Sequence, residues 1–157
     1  MVDTQSSIPT PISRRRRSAP VCVARRRSGS EAHAIDTHPR ALIVDDCRFI
    51  AERVARVLEA RGFECTIAAN GFQGLELVRD CRFDLFVLDV DMPMVDGFTL
   101  LRNIRRDQVH TATPVLMLSS SDTAFDRDRA TELGANATMT KPLQQRPLNL
   151  TLDSIMS

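Results

Sequence analysis

Three carboxylates, a hydroxyl and an amine stand at the ends of four apolar segments of this chain. Ala41-Leu42-Ile43-Val44 runs into Asp45-Asp46, the Phe83 to Leu88 run ends on Asp89, Pro114 to Leu118 ends on Ser119, and Thr138-Met139-Thr140 ends on Lys141-Pro142. Buried strands of α/β sheets present their functional groups at their carboxyl ends, so these residues are candidates for one shared site. Asp45, Asp46 and Asp89 gathered at one sheet edge repel. A like-charged pair ~4 Å apart costs about 4 kcal/mol at an effective dielectric of about 20. A divalent cation relieves that repulsion, and all-oxygen ligation with several retained waters suits Mg²⁺, with Mn²⁺ as the near substitute. A metal so held bridges a carboxylate and an incoming phosphoryl group while neutralising charge as it develops. Lys141 adds a point charge for one phosphoryl oxygen, and the Ser119 hydroxyl can hydrogen-bond another. The chemistry is that of a phosphoryl-accepting carboxylate.

The elements that must position these groups follow from periodicity. From residue 40 onward strand-like and helix-like segments alternate, the pattern of stacked βαβ units. Five strands are expected, at Ala41 to Val44, Phe63 to Ala68, Phe83 to Leu88, Pro114 to Leu118 and Asn136 to Thr140. The third is apolar nearly throughout and should be central, buried on both faces. Ile50, Val54, Val57 and Leu58 mark a first helix that Gly62 stops. Asn70-Gly71 opens a second with Phe72, Leu75 and Val78 on its apolar side, and Leu101 and Ile104 mark a third. Phe125 to Leu133, closed by Gly134, is the fourth; its cap is expected from Ser121 or Asp122, which frees Ser119 for the site. Pro147 can start a last helix, but Leu148, Leu150 and Ile155 give an imperfect stripe, so a short or frayed element is expected. The fold class is α/β, a doubly wound five-stranded parallel sheet. His33, His38 and His110 show no ligand spacing and read as surface residues.

Composition bounds the organisation. With 157 residues, 43% of them hydrophobic, the chain holds one ordinary core. A net charge of +1 conceals an uneven distribution: residues 1–40 carry eight Arg against Asp3, Glu31 and Asp36, so a basic arm precedes an acidic body. All seven Phe lie after residue 48 and there is no Trp or Tyr, which leaves the arm nothing aromatic to pack. Residues 1–38 are therefore expected to be disordered and residues 39–157 to form the single domain. Arg14 to Arg17 and Arg25 to Arg27 either bind nucleic acid or another anionic surface or form a solvated, silent arm. Cys22, Cys47, Cys65 and Cys81 show no C-x-x-C spacing, which fits a reducing cytosol. No apolar run reaches the roughly 18 residues of a spanning helix, and the expected location is cytoplasmic.

The ordered set Asp45-Asp46, Asp89 before Met92-Pro93, Gly97, Ser119 and Lys141-Pro142, spread over residues 40 to about 145, resembles the receiver domain of two-component response regulators, of single-domain type. The resemblance implies a flavodoxin-like sheet of order 2-1-3-4-5. It implies that Asp89 is the phosphoacceptor, Asp46 a direct metal ligand, Asp45 a ligand largely through water and Asp91 a donor of its backbone carbonyl to the metal. Ser119 is similar to the family's switch hydroxyl, Lys141 to its phosphoryl-binding lysine, and Gly97 to the turn glycine after the acceptor loop. The Lys-Pro bond at 141–142 is often cis in the family. The phosphodonor would be a sensor histidine kinase or a histidine phosphotransfer protein. The output would be contact with a downstream protein target, and the only reactions catalysed would be its own phosphorylation and dephosphorylation. Thr138 departs from the pattern, because many family members carry an aromatic there that swings with the switch hydroxyl. Two other readings remain at this point. Leu88-Asp89-Val90-Asp91 also resembles the nucleophile motif of haloacid-dehalogenase-like phosphohydrolases, although that family puts its nucleophile on the first strand. A pseudo-receiver acting without phosphorylation is the other.

Overall fold

A computed structural model describes residues 38–157, so the expected disorder of the Arg-rich arm falls on residues outside that range. Strands and helices alternate as β1 (Arg40–Val44), α1 (Arg48–Ala60), β2 (Glu64–Ala68), α2 (Gly71–Asp80), β3 (Leu85–Asp89), α3 (Gly97–Arg106), β4 (Val115–Ser119), α4 (Ala124–Glu132), β5 (Ala137–Thr140) and α5 (Gln145–Met156). The strands pair in parallel in the order β2-β1-β3-β4-β5, the expected doubly wound arrangement. Because side chains alternate along a strand, β1 and β3 feed two cores. Leu42, Val44, Phe86 and Leu88 meet Val78, Leu100, Leu101 and Ile104 on the face covered by α2 and α3. Ala41, Ile43, Leu85 and Val87 meet Val54, Leu58, Leu148 and Leu152 on the α1 and α5 face. Every residue of β1, β3 and β4 is buried, and this packed slab holds the strand ends in place.

Four sequence expectations are corrected. The last helix is neither short nor frayed: α5 spans 12 residues, with Pro147 inside its first turn and Leu148 and Leu152 buried one turn apart, while Leu150 is exposed. In α2 the inward side is made by Gly71, Gly74 and Val78, and Phe72 faces solvent. A Cβ on Gly74 would lie 3.0 Å from Leu100 and 3.2 Å from Val44, so the helix approaches the sheet too closely for Phe72 to turn inward. The cap of α4 is Thr123, whose side chain accepts from the Asp126 amide, not Ser121 or Asp122. Finally, His110 is fully buried. The Phe83 amide donates to its Nε2 at 3.2 Å, so Nδ1 carries the ring proton and donates to Asp107 Oδ1 at 3.1 Å. The ring meets Phe86 edge-on at 5.1 Å, closing the sheet at the end opposite the carboxylates.

Among the described residues Cys47 and Cys65 are free thiols. Burial, then the charges of Glu59 and Glu64, push the Cys65 thiol up to about 12, which makes it inert.

The attachment of α4 is uneven along its length. Ala130 is its one buried residue. Its C-terminal end is pinned by Arg105, whose Nε donates to Gly134 O at 2.9 Å and whose Nη1 and Nη2 reach Thr113 O at 2.8 Å and Asn136 Oδ1 at 3.0 Å. Arg129 lies over the Phe98 ring at 4.5 Å. Near its N-terminal end Phe125 is 70% exposed.

Candidate functional site

Asp89 is the last residue of β3, Asp45 follows β1 directly, and Lys141 follows β5. The sheet order places β3 between β1 and β4, so these ends converge. One carboxylate oxygen from each of Asp45, Asp46 and Asp89 falls within 4.8 Å of the other two. Asp45 and Asp89 are buried while Asp46 is exposed. Lys141 Nζ lies 3.0 Å from Asp45 Oδ2 and 3.0 Å from Asp89 Oδ1, spanning the pair. The Cys47 amide donates to Asp45 Oδ1 at 2.8 Å and the Asp91 amide to Asp89 Oδ1 at 3.2 Å.

The electrostatics are those of a site with excess negative charge. Burial raises the Asp89 pKa, Lys141 pulls it back, the Asp45 charge raises it again and the Asp91 amide lowers it, with the result about 6. Burial alone would lower the Lys141 pKa, but its bonds to Asp45 and Asp89 hold it above the usual lysine value. Asp45 Oδ2, despite Lys141 beside it, lacks a hydrogen bond of good geometry. A buried carboxylate oxygen left in that state beside two more carboxylates fits a hard cation with oxygen ligands, Mg²⁺ or Mn²⁺. The sign of the Asp89 shift sets two outcomes. Because the folded state holds the Asp89 proton more tightly, metal-free stability should fall as pH rises from about 4 through about 6. Proton and metal compete for one carboxylate, so calorimetric titration should show Mg²⁺ affinity weakening about tenfold per pH unit below about pH 6.

Ser119 closes β4. Its Oγ accepts from the Ser121 amide at 3.2 Å and sits 3.4 Å from Ser121 Oγ. The Asp91 carboxylate stands apart from the three clustered acids, its Oδ2 accepting from the Ser120 amide at 3.0 Å. A cavity of about 10 Å³, room for one water, lies beneath α4 and is lined by Ser119, Ser121, Asp126 and Thr138 among others. Thr138 leaves this space without a ring. Sequence reading missed Ser121, Thr123 and Asp126 as a connected group, although Thr123-x-x-Asp126 is a helix-capping signal. The Lys141–Pro142 peptide is cis.

Gly97 explains how β3 and α3 meet behind Asp89. A Cβ there would lie 2.3 Å from the Asp89 carbonyl oxygen and 2.9 Å from its carbon, so any side chain pushes the strand end that carries the carboxylate. Gly97→Ala should cost about 2 kcal/mol in urea unfolding and slow labelling of Asp89 by a phosphodonor.

Residues 41–153 match the family described as the response regulator receiver domain. The chain belongs to that family. Over 104 residues it is 38% identical to the DNA-binding dual master transcriptional regulator RpaA of Synechocystis, covering 66% of this chain and 43% of that protein. It is 28% identical to the protein PilG of Pseudomonas aeruginosa, over 69% of this chain and 81% of that one. Among solved structures, the Vibrio cholerae chemotaxis protein CheY4 superposes with a TM-score of 0.71 at 30% identity, covering 75% of this chain and 98% of that one. This receiver domain chain spans less than half the length of several of the curated relatives it matches. Its family is a signalling one, and among the described residues no helix is long and apolar enough to cross a membrane.

Proposed function

We propose that this receiver domain takes a phosphoryl group onto Asp89 from a sensor histidine kinase or histidine phosphotransfer protein in the cytoplasm and signals by protein contact. The observation that carries this reading is the Lys141 ammonium held 3.0 Å from both Asp45 and Asp89 at the mouth of an acidic cluster. In the proposed reaction Asp89 is the nucleophile. Both contacts on its carboxylate fall on Oδ1, leaving Oδ2 to attack phosphorus as the bond to the donor nitrogen breaks and that nitrogen takes a proton from solvent. Asp45, Asp46 and Asp89, with the Asp91 backbone carbonyl, would hold a Mg²⁺ ion, whose charge would offset that developing on the phosphoryl oxygens. Lys141 then follows the charge from carboxylate to phosphoryl oxygen, and Ser119 offers its hydroxyl to another.

Phe49, Phe72, Met94 and Phe125 are among the exposed large apolar side chains of the described residues. Each lies in the first turn of a helix or in the loop that follows a strand, hence at the same end of the sheet as Asp89. They support docking of a partner with an apolar face over the site. Association of the Arg-rich arm with nucleic acid is a separate proposal, resting on charge alone.

Incubation with Mg²⁺ and acetyl phosphate tests the reading. A single acid-stable, base-labile adduct of one phosphoryl group on Asp89 is expected. Steady phosphate release in excess of protein would favour the phosphohydrolase reading, and no adduct at all would favour a pseudo-receiver.

A further inference from the structure

The Ser119 hydroxyl is tied to α4 by a chain of polar bonds. Ser121 Oγ donates to Asp126 Oδ2 at 2.7 Å, and Thr123 Oγ1 donates to the same oxygen at 2.8 Å. A serine has one hydroxyl proton. Since that of Ser121 is committed to a carboxylate, the proton in the 3.4 Å contact between Ser119 and Ser121 must come from Ser119. The Asp126 amide in turn donates to Thr123 Oγ1 at 3.2 Å, so one carboxylate in the first turn of α4 gathers both hydroxyls and organises its own helix start.

We propose that Asp126, acting through Ser121, is a positioning residue for the Ser119 hydroxyl, and that this chain carries the state of Asp89 to the first turn of α4. The proposal rests on the phosphoacceptor reading and adds its internal output. In the unmodified protein the Ser119 proton is held by a neutral hydroxyl at long range. A phosphoryl group on Asp89 offers a charged acceptor, whose hydrogen bonds are roughly twice as strong as neutral ones, so the Ser119 proton turns toward it. Ser121, whose amide also donates to Ser119 Oγ at 3.2 Å, then loses its contacts with that hydroxyl, and the Asp126 hub loses the support that runs back to β4. The end of α4 that holds Phe125 is set loose, while the other end stays pinned by Arg105 on Gly134 and Asn136. The connection needs no aromatic ring at Thr138. The water-sized cavity between Ser119, Asp126 and Thr138 gives the hydroxyls room to turn.

Hydrogen exchange of the amides of residues 124–127 reads the coupling, with phosphorylation of Asp89 followed by mass in the same samples of full-length protein. In the wild type, exchange should rise about tenfold on phosphorylation. Compared at equal labelled fraction, Ser121→Ala should exchange faster before phosphorylation and show no further rise after it. Asp126→Ala should behave likewise, while Ser121→Thr, which keeps the hydroxyl, should retain the rise. A merely structural Ser121 would change the basal rate and leave the phosphorylation-dependent increment intact. A wild type that labels without a change in α4, or a Ser121→Ala protein with the wild-type increment, overturns the relay. A wild type that does not label overturns the phosphoacceptor reading itself.

Discussion

Asp89→Asn should abolish labelling by acetyl phosphate and at the same time make the metal-free protein more stable. Asparagine keeps an oxygen to accept from Lys141 and from the Asp91 amide, the two contacts that Asp89 Oδ1 makes, but it has no nucleophilic carboxylate. The stability gain follows from the acid's displacement from the ordinary carboxylate range up to about 6: at neutral pH the folded protein ionises Asp89 against burial and against Asp45. Removing that charge should stabilise the metal-free protein by about 2 kcal/mol at pH 7. The advantage should shrink as pH falls toward 4, where wild-type Asp89 is itself protonated, and Mg²⁺ should erase it by stabilising the wild type alone. Thermal melts at two pH values with and without Mg²⁺ measure all of this. A persisting adduct on the variant, or a variant less stable than wild type without metal, refutes the assignment.

Lys141→Met should show the opposite sign. It removes the cation between two carboxylates that are each almost wholly buried, and breaking a buried pair leaves uncompensated charge, at a cost of about 3 kcal/mol. Labelling should slow about a hundredfold, the usual loss when a group that stabilises developing oxyanion charge is deleted. The two substitutions should not add. In an Asp89→Asn background only Asp45 is left facing the missing ammonium, so the double variant should recover much of the lost stability. Urea unfolding of the four proteins gives the coupling directly; strict additivity would mean that Lys141 and Asp89 do not interact.

The parts of this molecule that were readable from sequence are those in which one local signal determines the outcome. β3 and β4 are unbroken apolar runs ending on Asp89 and Ser119, and a strand buried on both faces must put its first polar residue at its mouth. Gly62 and Gly134 end helices at positive φ, +90° and +93°, where a side chain is strained. What stayed hidden depends on which of two surfaces a residue meets. Phe72 and Phe125 have helical spacing but point outward, because Gly74 brings α2 against Val44 and because α4 buries only Ala130. His110 looks like a surface residue until folding brings the Phe83 amide, 27 positions away, to its ring. The link from Ser119 to Asp126 passes through hydroxyls whose partners only the β4 to α4 turn brings together.

The single buried residue of α4 has a consequence for how such a protein diversifies. A helix that contributes only Ala130 to the core places little demand on its side chains other than Asp126 and Arg129, since surface substitutions remote from buried contacts rarely move stability by more than about 0.5 kcal/mol. Phe125, Arg127, Asp128 and Glu132 can therefore be exchanged in successive generations without passing through an unfolded ancestor, whereas the neighbouring α3, which buries Phe98, Leu100, Leu101 and Ile104, has no such latitude. New recognition partners are most accessible to mutation on the helix that the core constrains least, beside a phosphorylation chemistry that the rigid sheet keeps unaltered.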